Sequence, residues 1–230
     1  MRQAVGSATM PSPGAEEESI NGLTTQTTED RSAIDALVDA AREFGARGWT
    51  PATSGNYSVR LRDGRLAVTR SGADKRSLTV EDLLQTDAAG RPIGPGRPSA
   101  ETRLHVQLYE HDAAIGAVLH VHSPAAVVAS RLAADAGAIA LEGHELLKAF
   151  EGTTTHAARL EVPVLANDQD METLAAQVAP RLGAPGSLWT YLIAGHGVYA
   201  WGQDVASAAR HLEAIEFLLV THLEEWRLTR

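Results

Sequence analysis

The chain has 230 residues, 44% of them apolar and 21% charged, an ordinary globular composition long enough to bury a sizeable core. A formal net charge of −9 argues against nucleic acid or an anionic membrane surface as the main partner. Cysteine is absent, so disulfides are excluded and any metal must rest on nitrogen and oxygen ligands; no apolar run approaches the ~18 residues of a membrane span and no secretory signal is evident, so a cytoplasmic protein is expected.

Residues 1–27, rich in Pro, Gly, Ser, Thr and Glu without apolar periodicity, predict a disordered tail, and residues 28–230 a single domain. Thr28 as N-cap, then Ile34, Leu37, Val38, Ala41 and Phe44 at helical spacing, predict a helix ended by Gly45 and Gly48. Alternation of Tyr57, Val59 and Leu61, a turn at Asp63-Gly64, and Leu66 and Val68 predict a hairpin. A Gly/Pro-rich loop over 90–98 leads to a helix starting near Ser99. A strand follows over 117–122, and Ser123-Pro124 opens the next helix. Further on, the sequence predicts a helix at HELLKAF, a strand at VPVL and a helix around METLAAQVAPRL. Two strands flank the turn in LWTYLIAGHGVYAWG. Asp204 caps a long final helix, whose Leu218, Leu219, Leu223 and Trp226 are a candidate interface surface. The irregular alternation, without a repeat period, predicts an α/β or α+β layered domain with a mixed or largely antiparallel sheet. Neither a G-x-G-x-x-G nor a P-loop lysine motif occurs, so nucleotide binding has no support.

The sharpest chemical signal is His120-Val121-His122. In a strand these imidazoles share one face about 7 Å apart at Cα, close enough to hold one metal ion. His196, between Gly195 and Gly197 in a turn that glycine allows to be sharp, is the candidate third ligand. Three imidazoles with an open position describe a catalytic zinc site. Taken alone, an H-x-H pair is more often two ordinary histidines than a metal site. His105, His111, His156, His211 and His222 have no ligand spacing and are read as structural or solvated. Thr53-Ser54-Gly55-Asn56 and Thr69-Arg70-Ser71-Gly72 lie at the joined ends of the predicted hairpin, and Pro98-Ser99 opens a helix. Such amides and hydroxyls, with Arg70 or Lys75 adding charge, form a cradle for phosphate, or are plain turn chemistry. Among the carboxylates, Glu101 suits the first turn of a helix, and Glu142 and Glu145 suit a helix surface.

In order, the segments SGN, T-x-SG, PS-x-E, H-x-H and GHG over residues 54–197 resemble the class II aldolase/adducin superfamily, and the likeness extends over roughly 30–228. The fuller strings RGWTPATSGNYSVRL, TRSGADK, RPSAET, AVLHVHS, ANDQD and GHGVYAWGQD are similar to its sugar-phosphate dehydratases. The resemblance implies a three-layer α/β/α domain with a mainly antiparallel sheet, a homotetramer with sites near subunit interfaces, and one zinc per subunit on His120, His122 and His196. It implies a small phosphorylated keto-sugar as substrate, its phosphate held by Ser54, Gly55, Asn56, Ser71, Gly72 and Ser99. Glu101 matches the acid that acts at the metal in the aldolases, and Glu145 the general acid/base of the dehydratases. Ala100 departs from the aldolases, which carry a hydroxyl residue there. The same family includes aldolases and epimerases, and adducin-like modules that keep the fold without the metal.

Overall fold

A computed structural model describes residues 27–229. The expected tail, residues 1–27, lies outside them except for Thr27. That residue, one before the expected cap, begins helix α1 (Thr28–Ala46): its hydroxyl accepts from the Asp30 amide at 3.1 Å. Ile34, Leu37, Val38, Ala41 and Phe44 are all buried, so the apolar stripe read from spacing is the face that packs.

Among the described residues, nine strands form one sheet: β1 (Asn56–Arg60), β2 (Leu66–Thr69), β3 (Leu83–Thr86), β4 (Pro92–Ile93), β5 (Ala117–Val121), β6 (Ala138–Glu142), β7 (Arg159–Leu165), β8 (Thr190–Ile193) and β9 (Gly197–Gly202), in the order β4-β3-β2-β1-β5-β9-β8-β7-β6. Only β7 and β8 run parallel. The central strands are buried on both faces, because helices cover both. Helix α2 (Thr102–His111) packs with α4 (Met171–Val178), while α3 (Pro124–Leu132) and α1 pack with α5 (Val205–Leu228), giving the expected three layers. The helix expected at HELLKAF is only a 3-10 turn, Glu145–Ala149. No helix of the described residues is long and apolar enough to cross a membrane.

Two features frame the site. Ser123 caps α3 by accepting from the Ala126 amide at 3.0 Å, and its hydroxyl donates to Glu216 Oε1 of α5 at 2.7 Å. The chain is thereby fixed one residue after His122. Burial pushes the Glu216 carboxyl up to about 7. On α5, Leu218 and Leu219 are fully buried in this chain's own core, so they are not the outward surface expected of them; Phe217 and Val220 face outwards instead.

Candidate metal centre and anion cradle

Strands β1, β5 and β9 are neighbours, and their register puts Asn56, His120 and Tyr199 on one rung. Partners on a rung share a face, so the three side chains meet. His122 lies one residue beyond β5, where its amide leaves the sheet to donate to Trp49 O at 2.8 Å. His196 occupies the turn from β8 to β9. Gly197 is obligatory there, because any side chain would run into the Val121 carbonyl. Glu101 stands at the N-cap of α2, but its side chain makes no capping bond to that helix; the carboxylate turns to the histidines. Ligand atoms of Glu101, His120, His122 and His196 all lie within 4.8 Å of one another.

The hydrogen bonds fix what these atoms offer. His120 Nδ1 lies 2.9 Å from Val198 O, which can only accept, so Nδ1 carries the proton and Nε2 presents a lone pair. That Nε2 is buried, has no hydrogen-bond partner and faces Glu101 Oε2 at 3.2 Å. His196 Nδ1 is likewise turned to Asn167 Oδ1 at 3.4 Å, directing its Nε2 to Glu101 Oε1 at 3.0 Å. Lone pairs facing a carboxylate repel unless a cation lies between them, so the donor set fits a metal ion. Burial holds His120 well below the ordinary imidazole range and pushes His122 down to about 4, with His196 adding to the effect. Both rings are therefore neutral near pH 7, the form that binds metal. Burial opposes the charge of Glu101, and the hydrogen bond that its Oε2 accepts from the Asn56 amide favours it.

Beside this cluster is a polar cavity of about 190 Å³ lined by Ser54, Gly55, Asn56, Ser71, Gly72, Lys75 and Ser99 among others. A second, of about 580 Å³, is lined by Pro51, Val127, Asn167, Met171 and His196 among others, and both include Glu101 and His122. All seven residues read from sequence as a phosphate site thus border one cavity. The Ser54 hydroxyl is buried without a partner, and Lys75 Nζ donates to Thr53 O and Ala73 O, both at 2.9 Å. Burial pushes Lys75 down to about 8, so it keeps its charge at neutral pH. Ala52 and Thr53 adopt φ of 53° and 63°, a strained conformation for residues with a Cβ, costing on the order of 1–3 kcal/mol each. Arg70 is otherwise engaged, donating to Glu81 O and Pro95 O.

Glu145 is not brought to this cluster within the protomer. Its side chain is 71% exposed and pairs with Lys148, which holds the carboxyl below its usual range. Strand β6 leads to it in the wrong direction: Glu142 pairs with Arg159, five residues before Val164, whose neighbour Leu192 pairs with Val198 beside the histidines. Five residues of strand span roughly 16 Å. The following turn is anchored at that far end, where Phe150 stacks on His211 and Trp189 Nε1 donates to Glu151 O at 3.0 Å. Two contributors went unread in the sequence. Tyr199 donates to Glu101 Oε2 at 2.8 Å, and Asn167 faces His196. The signal for Tyr199 was its position two residues from Gly197, on the face that a period of two assigns to the site.

Residues 35–223 match the family described as Class II Aldolase and Adducin N-terminal domain. The chain is 56% identical over 193 residues to a methylthioribulose-1-phosphate dehydratase of Xanthomonas campestris pv. campestris, covering 84% of this chain and 88% of that protein. It is 54% identical over 193 residues to the enzyme of the same name from Stenotrophomonas maltophilia, covering 84% and 90%. Among solved structures it is similar to L-fuculose-1-phosphate aldolase from Thermus thermophilus, with TM-score 0.69, 27% identity, and coverage of 86% and 98%. With its fold, its motifs and these relatives in agreement, the chain belongs to the class II aldolase and adducin family.

Proposed function

We propose that the chain is a zinc-dependent hydro-lyase that removes water from 5-methylthioribulose 1-phosphate, giving a 2,3-diketo-5-methylthiopentyl 1-phosphate in methionine salvage. The relatives named methylthioribulose-1-phosphate dehydratase supply the reaction class. The observation that carries the chemistry is the junction at Glu101 and His122, where a small polar cradle and a larger pocket meet at converging lone pairs. A ketose 1-phosphate has the matching layout: phosphate at one end, oxygens on carbons 2 and 3 in the middle, and a tail beyond.

In this reading Ser54, Gly55, Asn56, Ser71, Gly72, Lys75 and Ser99 surround the phosphate. His120, His122 and His196 hold one zinc per chain, with Glu101 facing it; three imidazoles suit zinc better than magnesium or calcium. Bound there, zinc supplies a Lewis acid that acidifies the proton on carbon 3. Glu145 faces away from its own site, so the acid/base is Glu145 of the partner subunit in a homotetramer. Exposed Val128, Leu132, Phe217 and Val220 on α3 and α5 offer apolar surface for such an assembly. The carboxylate takes the carbon 3 proton and delivers it to the carbon 4 hydroxyl, which leaves as water, and the resulting enol tautomerises to the diketone.

One observation favours a second reading. Glu101 contacts two of the histidines and matches the acid of the sugar-phosphate aldolases, which would break the bond between carbons 3 and 4 instead. Metal analysis tests the centre common to both. About one zinc per chain is expected in the purified protein, and a chain that binds no divalent metal would be an adducin-like module instead.

A further inference from the structure

Glu101 Oε2 accepts two hydrogen bonds from side chains that are themselves buried: Asn56 Nδ2 at 2.7 Å and the Tyr199 hydroxyl at 2.8 Å. The Tyr199 ring has no freedom to follow if the carboxylate moves. It is fully buried, stacked on His120 at 3.9 Å between centroids and 14° between planes, and backed on its other side by Tyr191 at 4.9 Å and 20°. The edge of His105 closes a further side at 5.7 Å. One side chain therefore touches two members of the proposed centre at once, a ligand ring through its face and a carboxylate through its hydroxyl. Rotation of Glu101 away from the histidines would break both bonds and leave the fully buried Tyr199 hydroxyl unsatisfied, which is costly.

We infer that Tyr199 is a positioning residue that clamps Glu101 in place, so that the carboxylate presents Oε1 to the metal position as a fixed group instead of swinging as a proton carrier. The inference rests on the metal-centre reading above and extends it: proton transfer must then belong to a different group. Charge-assisted bonds of this kind orient the groups around a metal, and their loss typically costs 10–100-fold in metal affinity or activity.

Two variants separate this role from packing. Tyr199→Phe keeps the ring and its stack but frees Glu101 Oε2 of one donor. Tyr191→Phe deletes a hydroxyl from the ring directly behind, and that hydroxyl is buried with no hydrogen-bond partner among the described residues. Zinc dissociation constants are read by competition with a chromophoric chelator, with circular dichroism confirming the fold of each variant. The clamp predicts zinc affinity roughly 10-fold or more weaker in Tyr199→Phe and unchanged in Tyr191→Phe. Wild-type affinity in Tyr199→Phe, or equal losses in both variants, overturns the clamp and leaves the centre standing. A wild-type protein that binds no zinc overturns the centre and the clamp together.

Discussion

A side-chain carbon on Gly55 would stand 2.6 Å from the carbonyl oxygen of His120, so the cradle loop passes the metal-facing strand with only backbone between them. Gly55 also has φ of 77°, where a side chain is strained regardless of space. Gly55→Ala therefore meets two penalties and should destabilise by more than about 1 kcal/mol. In a domain of this size that lowers Tm by roughly 2–4 °C per kcal/mol. Thermal unfolding checks this, and a Tm equal to wild type would show that the loop can move off β5.

Much of this arrangement was legible because it follows period and punctuation. His120 and His122 read as a pair from strand alternation, Ser123-Pro124 as the start of α3, and Asp204 as the cap of α5. What local pattern does not encode was missed. Strand β6, AIALE, is short and lacks a clean polar alternation, so the direction in which it carries Glu145 was not visible. By local pattern Glu101 suits an ordinary first-turn acid, since its turn towards His196 is a long-range contact, and only the family resemblance marks it as an acid acting at the metal. The left-handed Ala52 and Thr53 gave no signal either, because neither is a residue type that favours that conformation.

If the site takes its acid/base from a neighbouring copy, two dead variants should rescue each other. Glu145→Gln should retain zinc but lose dehydration by roughly 10²-fold or more. His120→Asn should lose zinc. Co-expressed, the two should form mixed assemblies in which some sites pair intact histidines with an intact Glu145, and activity should return well above either parent. Inactive mixed assemblies would place the acid/base elsewhere. Near-normal turnover of Glu145→Gln, with Glu101→Gln inactive but zinc-loaded, would reverse the roles of the two carboxylates.

Glu216 supplies a stability signature. Its folded pKa is raised to about 7 from the usual 4.5 by burial, so the native state binds more protons than the unfolded chain between those values. Its contribution is therefore fully favourable below about pH 4.5 and declines as pH rises towards 7, by up to about 3 kcal/mol in all. Glu216→Gln keeps an acceptor for the Ser123 hydroxyl without a charge. Denaturant titrations should show the variant gaining on the wild type from pH 5 to 7; parallel curves for both proteins would contradict the assignment.

Ser54→Ala removes a buried, unpartnered hydroxyl that faces the cradle. If that hydroxyl awaits a phosphate, KM should rise about 10-fold or more while zinc content stays at the wild-type level. Lys75→Met should raise KM as well, and should also lower Tm, because it releases the strained Thr53 carbonyl. Unchanged KM in both variants would mean that the phosphate binds elsewhere.

The most direct test incubates zinc-loaded protein with 5-methylthioribulose 1-phosphate and identifies the product by mass spectrometry. Dehydration at this centre predicts a single phosphorylated diketone, lighter than the substrate by one water, and no product after zinc is stripped with a chelator. Two fragments split between carbons 3 and 4 would make the chain an aldolase, and an unchanged substrate would contradict the proposed activity altogether.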